Sequence, residues 1–132
     1  MESFMFQSRQ GEQLSVVFDI GSYVDNRSLA IEMYAITEGE PDPYADVTVN
    51  LEGNPPHYCA YIDVANTPEL AGFLEKSKIA YPTGLAKKSG FNEYPLYVFD
   101  IEALRRMDAK GLVKYERDNN IQLRPDPKDK IR

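Results

Sequence analysis

The feature that most constrains the fold is an alternation of apolar and polar residues with a period of two. Leu14, Val16, Phe18 and Ile20 share one side of an extended segment, and the same alternation recurs over residues 29–33. Successive side chains of a β-strand point to opposite faces, so each segment can bury one face of a sheet. The sequence therefore predicts two strands, each with a buried and an exposed side.

Short connections join these strands to their neighbours. Residues 23–28 favour a hairpin between the first two strands, and residues 38–43, with one glycine, two prolines and three carboxylates, predict an exposed turn. Alternation resumes over residues 44–51, and residues 57–64 form a fourth predicted strand. In the 44–51 strand the predicted inward positions are Ala45, Val47, Val49 and Leu51, and the outward positions are Asp46, Thr48 and Asn50. Connections this short predict an antiparallel meander.

A helix is predicted to begin at Asn66-Thr-Pro-Glu69 and to run to about residue 79. Thr67 is a suitable N-cap, and Pro68 suits the first helical position. Leu70, Phe73, Leu74 and Ser77 follow at helical spacing, so one stripe of this helix can cover the sheet.

The remaining segments predict a loop, a strand, a second helix and a final hairpin. Residues 81–92 contain glycines and lysines and are interpreted as a loop, and residues 94–99 as a fifth strand. Asp100 is a suitable N-cap for a helix over residues 101–110, which Gly111 is predicted to end. Residues 112–123 are interpreted as a possible C-terminal hairpin.

Together these segments predict one α+β domain over residues 1–123, in which an antiparallel sheet of about five strands is packed by two helices. The chain has 132 residues, of which 42% are hydrophobic, and this suffices for one core. Residues 124–132 are charged and interrupted by prolines, and they predict a disordered tail.

The composition of the chain indicates its cellular compartment. Cys59 is the single cysteine, which is typical of a reducing environment. The N-terminus lacks the pattern of a signal peptide, and no segment approaches the roughly 20 apolar residues of a membrane span. We expect a cytoplasmic protein without a membrane partner.

Charge is distributed unevenly along the chain. Residues 1–75 contain 13 acidic and two basic residues, whereas residues 76–132 contain eight acidic and 13 basic residues. The division indicates either an acidic partner-facing surface or ordinary solubilising charge on an exposed sheet face. The net charge of −6 makes direct nucleic-acid binding an unlikely interpretation, although Lys87, Lys88, Arg105, Arg106 and Lys110 could contribute to it.

A family resemblance is carried by three stretches: Tyr44-Ala-Asp-Val-Thr-Val-Asn-Leu51; Ala60-Tyr-Ile-Asp-Val-Ala-Asn-Thr-Pro68 with Phe73-Leu74 after it; and Thr83-Gly84 followed by Ser89-Gly-Phe-Asn-Glu-Tyr-Pro95. In their order and spacing they resemble the DUF4313-like family, whose small uncharacterised proteins are carried on conjugative transposons, plasmids and phages of Firmicutes. The resemblance implies no reaction and no catalytic residues. It implies a role in the transfer, maintenance or defence evasion of a mobile element.

Residues capable of chemistry are few. His57 and Cys59 are two apart on a predicted strand and could in principle form a nucleophilic pair, but a packing role is favoured because no orienting residue is identifiable. One His and one Cys do not suffice for structural zinc, and the acidic turn fits no calcium-loop spacing. The sequence predicts no catalytic residues, no metal and no cofactor, and we expect a protein that is not an enzyme.

Two groups of residues are candidates for binding surfaces, and for the first of them a plain connector is the favoured interpretation. The predicted anion-binding loop could direct backbone amides and two ammonium groups at a phosphate, against the alternative of a plain connector, and comprises Gly84, Lys87, Lys88, Ser89 and Gly90. The predicted partner surface comprises Glu32, Tyr34, Glu38, Glu40, Asp42 and Asp46. The favoured function is a non-enzymatic protein that binds another protein. The alternative is an acidic nucleic-acid mimic that inhibits a host defence nuclease, with an enzyme as the third choice.

Overall fold

In a computed structural model that describes residues 2–121, the chain forms eight strands and two helices. The strands are β1 (Phe4–Gln7), β2 (Gln13–Ser22), β3 (Leu29–Thr37), β4 (Glu40–Asp46), β5 (Thr48–Val49), β6 (Cys59–Ile62), β7 (Ala80–Ser89) and β8 (Asn92–Phe99); the helices are α1 (Leu70–Lys76) and α2 (Ile101–Asp118). The predicted α+β class is confirmed, although the strands form two antiparallel sheets. The predicted tail, residues 124–132, lies outside the described residues.

The first sheet has the strand order β1-β2-β3-β4, and each neighbouring pair is antiparallel. Phe18 of β2 lies opposite Met33 of β3, Ile20 lies opposite Ile31, and all four side chains are buried. The predicted alternation of β2 and β3 is thus confirmed. Because the face alternates along each strand, the residues between these four point away from the core.

The turn between β3 and β4 is shorter than the predicted segment 38–43. Only Glu38 and Gly39 form it, with φ of 52° and 82°. A two-residue turn with positive φ at both positions twists in the same sense as the strands that it joins. Pro41 and Pro43 lie instead in β4, an edge strand, where a residue without an N–H is tolerated.

The predicted strand over residues 44–51 is divided between the two sheets. β4 ends before Val47, whose N–H donates to the carbonyl of Ile31 over 2.9 Å. Thr48 was predicted to face outward, and this is wrong: it is buried, and its Oγ1 accepts a hydrogen bond from the N–H of Ile31 over 3.1 Å. The chain therefore passes between sheets while both backbone groups of Ile31 remain satisfied.

The second sheet has the order β5-β6-β8-β7. The predicted loop over residues 81–92 is wrong, because most of this segment is strand β7, which pairs with β8 in a long hairpin. Ser89 pairs with Asn92, so Gly90 (φ 63°) and Phe91 form the turn. Most of β7 is exposed, including the apolar side chains of Tyr81 and Leu85.

Helix α1 buries Leu70 and Leu74, as the helical spacing predicts. It is shorter than predicted and ends at Lys76. The predicted side-chain cap by Thr67 is not formed; the Thr67 carbonyl instead accepts from the N–H of Leu70 over 3.1 Å.

Helix α2 begins as predicted, since Asp100 Oδ2 accepts a hydrogen bond from the N–H of Ala103 over 2.9 Å. The predicted stop at Gly111 and the possible hairpin over residues 112–123 are wrong, because the helix continues to Asp118. A kink at Asp108, whose φ is −162° and ψ is 88°, divides the helix into two parts.

Buried side chains from both sheets and both helices form one hydrophobic cluster. Its largest fully buried members include Phe6, Phe18, Ile62, Leu70, Leu74, Leu104 and Met107. The inner faces of the sheets are committed to this cluster, so the outer faces remain available to solvent. Within residues 2–121, neither helix is long and apolar enough to cross a membrane.

Candidate functional site

A row of three carboxylates crosses the outer face of the first sheet. Asp19 of β2 lies directly opposite Glu32 of β3, and Glu32 lies directly opposite Asp46 of β4. All three residues are exposed. Opposed side chains in an antiparallel sheet have Cβ atoms about 5 Å apart, and like charges at that spacing repel. The register of three strands thus creates a concentrated line of negative charge.

No cation neutralises this row within residues 2–121. The ion pairs there join Arg105 to Glu102, Arg106 to Glu2 and Lys114 to Asp118, and none involves Asp19, Glu32 or Asp46. Repulsion between the three carboxylates is therefore not offset by an ion pair to any residue that the structure describes. A face of this kind is electrostatically complementary to a basic surface.

Tyrosines flank the acidic row. Tyr34 follows Glu32 on the same face, and its hydroxyl donates to Glu32 Oε2 over 3.2 Å. Burial and the charges of Glu32 and Asp19 raise the pKa of Tyr34. The Tyr23 hydroxyl is hydrogen-bonded to Thr48 Oγ1 over 2.8 Å. Burial and, to a smaller extent, the charge of Asp46 raise the pKa of Tyr23, although the hydrogen bond to Thr48 lowers it. Both hydroxyls stay protonated and can donate at neutral pH.

The structure brings together part of the predicted partner surface. Glu32, Tyr34 and Asp46 share the outer face. Asp42 lies opposite the buried Ala35, on the other face of the sheet. Glu40 also belongs to that other face, because it pairs with Thr37, and Glu38 lies in the turn. The inward register of these positions follows from the bulge that shifts β4 against Met33 and Tyr34.

Asp19 was absent from the predicted surface although its sequence pattern pointed outward. It alternates with the buried Phe18 and Ile20, and this placed it on the exposed side of β2. The alternation does not determine the register between strands. That register places Asp19 opposite Glu32.

Similarity to known proteins is found at the level of one family. A family model described as "Domain of unknown function (DUF4313)" matches residues 17–119, from within β2 to the end of α2. The chain belongs to the DUF4313 family. The matched region contains Asp19, Glu32 and Asp46. No curated protein and no solved structure matches the chain.

Residues of the predicted anion-binding loop do not form a loop in this DUF4313 protein. Gly84, Lys87 and Lys88 lie in β7, so the two lysines project from opposite faces of the strand. Lys87 donates one hydrogen bond to the backbone carbonyl of Glu52. Ser89 and Gly90 lie at the hairpin turn. The lysines and glycines therefore do not converge on one point.

The possible nucleophilic pair is also separated. His57 precedes β6 and is exposed, and Tyr58 between the two residues has φ of 65°, which breaks the strand alternation assumed in the sequence. Cys59 is buried, and burial raises the pKa of its thiol. A protonated, enclosed thiol is a poor nucleophile. Among the described residues, no group of three or more His, Cys, Asp or Glu side chains is arranged to hold a metal ion.

Two motif residues of the family resemblance have structural contacts. Asp63 is buried at the end of β6; its Oδ1 accepts from the backbone N–H of Asn66 over 3.2 Å, and its Oδ2 accepts from Asn66 Nδ2 over 2.9 Å. The pair fixes the turn that leads into α1. This arrangement accounts for both residues without a ligand.

Proposed function

We propose that this protein is a non-enzymatic binding protein, and that it docks the outer face of its first sheet against a basic surface of another protein. The observation that carries the proposal is the row formed by Asp19, Glu32 and Asp46, in which three exposed carboxylates lie directly opposite one another without a neutralising cation in the described chain. We call this outer face, with Tyr34, the acidic face.

The acidic face destabilises the folded protein and favours association with a basic surface. Directly opposed like charges destabilise a sheet, by an amount within the roughly 0.2–1 kcal/mol range of cross-strand pairs. In a complex the same charges meet basic groups, which steers the encounter and fixes the register of the two surfaces. Tyr34 adds a rigid ring and a hydroxyl, features that are enriched at protein contacts.

The biological setting proposed for this interaction is a mobile genetic element. The family resemblance supports an accessory role in transfer, maintenance or evasion of host defence. A cytoplasmic location agrees with such a role and with the single cysteine, Cys59.

A second candidate function is supported by the linear arrangement of the charges. A nucleic-acid backbone also presents a regular line of negative charge. The acidic face could therefore occupy the basic groove of a host defence nuclease, as an inhibitor that mimics its substrate. Under this alternative the partner remains a protein, but one whose own ligand is nucleic acid.

The proposal is tested by affinity capture from the native host with three forms of the protein. The first is wild type, the second carries D19N, E32Q and D46N, and the control carries E12Q, D25N and E93Q, which remove the same charge elsewhere. We expect a partner that the wild type and control retain and that the acidic-face variant loses. Retention should also fall as ionic strength rises from about 0.05 to 0.5 M.

Equal retention by the two variants would contradict docking through the acidic face. If the captured partner is a nuclease, the two candidate functions are separated by assaying DNA cleavage with increasing amounts of the protein. Inhibition that depends on Glu32 and its neighbours supports mimicry, whereas unchanged cleavage supports binding for another purpose.

A further inference from the structure

A second surface feature lies away from the acidic row, at the start and the C-terminal half of α2. It is a groove of about 880 Å³. Its apolar walls include Phe99, Ile101, Leu112, Val113 and Ile121. The volume and the mainly apolar lining are those of sites that hold small molecules, which commonly occupy about 300–1,000 Å³.

Glu116 places a buried carboxylate in this groove. The residue is only 5% exposed, and its Oε2 accepts a hydrogen bond of 2.6 Å from the hydroxyl of Tyr58. Within residues 2–121, Glu116 Oε1 has no hydrogen-bond donor. The fully buried side-chain atoms without a hydrogen-bond partner in that range are Ser22 Oγ and Glu69 Oε1, so Glu116 Oε1 is not fully enclosed. A buried carboxylate is costly unless its oxygens are satisfied. Glu116 thus offers an acceptor to a molecule in the groove.

The other charged residues that line the groove, Asp100, Glu102 and Arg105, are exposed, whereas Glu116 is buried. Asp100 Oδ2 caps α2 through the N–H of Ala103. Glu102 is ion-paired with Arg105 at the exposed rim. Arg105 lines the same groove, but within residues 2–121 Glu116 forms no ion pair.

Tyr58 is held in an unfavourable backbone conformation beside this carboxylate. Its φ of 65° is rare for a large residue, so the surrounding contacts must hold it in place. Its N–H donates to the hydroxyl of Tyr115 over 3.0 Å, and its carbonyl accepts from the N–H of Phe99 over 2.8 Å. The ring packs edge-on against Tyr115, with centroids 5.9 Å apart. These contacts fix the Tyr58 hydroxyl against Glu116 Oε2, so Oε1 of this groove-lining residue is the carboxylate oxygen without a donor within residues 2–121.

From these observations we propose that the groove binds a small amphipathic amine, whose ammonium group donates to Glu116 Oε1 while its apolar body packs against Ile101, Leu112 and Val113. Charge complementarity selects a cation, because the free acceptor is a carboxylate that forms no ion pair within residues 2–121. The low exposure of Glu116 selects a slender ligand that can reach it. The site is separate from the acidic face and does not depend on the function proposed for that face.

The test is a titration of isotope-labelled protein followed by NMR chemical shifts. The probe is n-hexylammonium, and 1-hexanol and hexanoate have the same chain with no charge and with the opposite charge. We expect saturable shifts at Tyr58, Glu116 and their groove neighbours with hexylammonium, at least tenfold weaker binding of hexanol and no saturable binding of hexanoate. The charged hydrogen bond accounts for this difference.

Two variants isolate the carboxylate. Glu116→Gln retains an oxygen acceptor for Tyr58 but removes the charge, and it is expected to weaken hexylammonium binding at least tenfold. The matched control is Glu75→Gln, because Glu75 also accepts a 2.6 Å hydrogen bond from a tyrosine, Tyr97, outside the groove. This control should bind hexylammonium as the wild type does.

Several outcomes would overturn the proposal. They are no saturable binding of hexylammonium, equal affinity for hexanol, or equal affinity of wild type and Glu116→Gln. Binding of the peptide acetyl-Leu-Lys-Leu-amide without binding of hexylammonium would show a peptide site instead. If Glu116→Gln fails to fold, the proposal is tested by comparing the affinities of the wild type for hexylammonium and hexanol. The D19N, E32Q and D46N variant should bind hexylammonium as the wild type does. Binding in the groove is then tested independently of docking through the acidic face.

Discussion

The Asp108 carboxylate accepts a hydrogen bond from the backbone N–H of Ile20, with 3.0 Å between Oδ2 and N, and thereby joins α2 to β2. Pairing of β1 with β2 ends at Val16, so this N–H has no partner in a neighbouring strand on that side. Asp108 Oδ1 accepts from the N–H of Gly111 over 3.1 Å and begins the second part of the kinked helix. The Asp108 carboxylate thus accepts hydrogen bonds from a backbone N–H at the strand edge and from one at the start of the second helical part.

Asp108→Ala is expected to lower the free energy of unfolding by about 2–4 kcal/mol, because it leaves the Ile20 N–H unpaired and removes a helix cap. Asp108→Asn retains one oxygen acceptor and should lower the free energy of unfolding by about half as much. Urea unfolding monitored by circular dichroism measures both changes. Lys110→Ala, at an exposed position of the same helix, is the control and should change stability little; a loss no larger for Asp108→Ala than for Lys110→Ala would contradict the linking role.

Gly111→Ala is expected to destabilise the fold although alanine is the better helix former. A Cβ at this position would lie 2.2 Å from the backbone carbonyl oxygen of Ile20, so helix and strand must move apart. Such overpacking costs about 1–3 kcal/mol. The matched control is Gly72→Ala in α1, where nothing lies within 4 Å of the added Cβ, and it should stabilise by about 0.5–1 kcal/mol. Thermal unfolding distinguishes the opposite signs.

Glu32→Gln is expected to raise the free energy of unfolding by a few tenths of a kcal/mol at low salt, because Glu32 has a carboxylate on each side in the row. Asp19→Asn and Asp46→Asn each remove an end of the row and should stabilise less. The gain should shrink near 0.5 M salt, where exposed charges about 5 Å apart are screened. Urea unfolding at two salt concentrations measures the effect, and destabilisation at low salt would argue against repulsion in the row.

Alkaline pH is expected to weaken the fold through Tyr97. Burial, and then the hydrogen bond and charge of Glu75, raise the pKa of Tyr97 to about 12. A raised folded-state pKa favours the protonated phenol, so the associated stability is complete below about pH 10, the usual pKa of tyrosine, and is lost as the pH rises toward 12. Tyr97→Phe should show a smaller loss between about pH 9 and 11.5 than wild type. Equal pH dependence in the two proteins would contradict this assignment.

Cys59 is expected to react slowly with a thiol reagent in the folded protein. Its burial both encloses the sulfur and raises the pKa of the thiol, which lowers the thiolate fraction. Reaction with Ellman's reagent should become fast and stoichiometric in denaturant. A fast reaction under native conditions would show that β6 opens readily or that the thiol is accessible.

Local patterns in the sequence determined the α+β class, the strands β2 and β3, the buried stripe of α1 and the cap at Asp100. Each of these depends on side chains within one element: alternation for a strand, the spacing of Leu70 and Leu74 for a helix, and a short polar side chain before a first turn. Information of this kind lies within a few residues and can be read before any folding partner is known.

Only the tertiary structure decided the features that depend on residues distant in the chain. The segment 81–92 reads as a loop because β7 is exposed and lacks alternation, and pairing with β8 makes it a strand. Gly111 reads as a helix stop, but the approach of Ile20 requires a glycine within the helix. Register sets Asp19, Glu32 and Asp46 in one row, and packing brings Tyr58 to Glu116. Strand register and helix packing are set by the global fit of the core, which no local pattern contains.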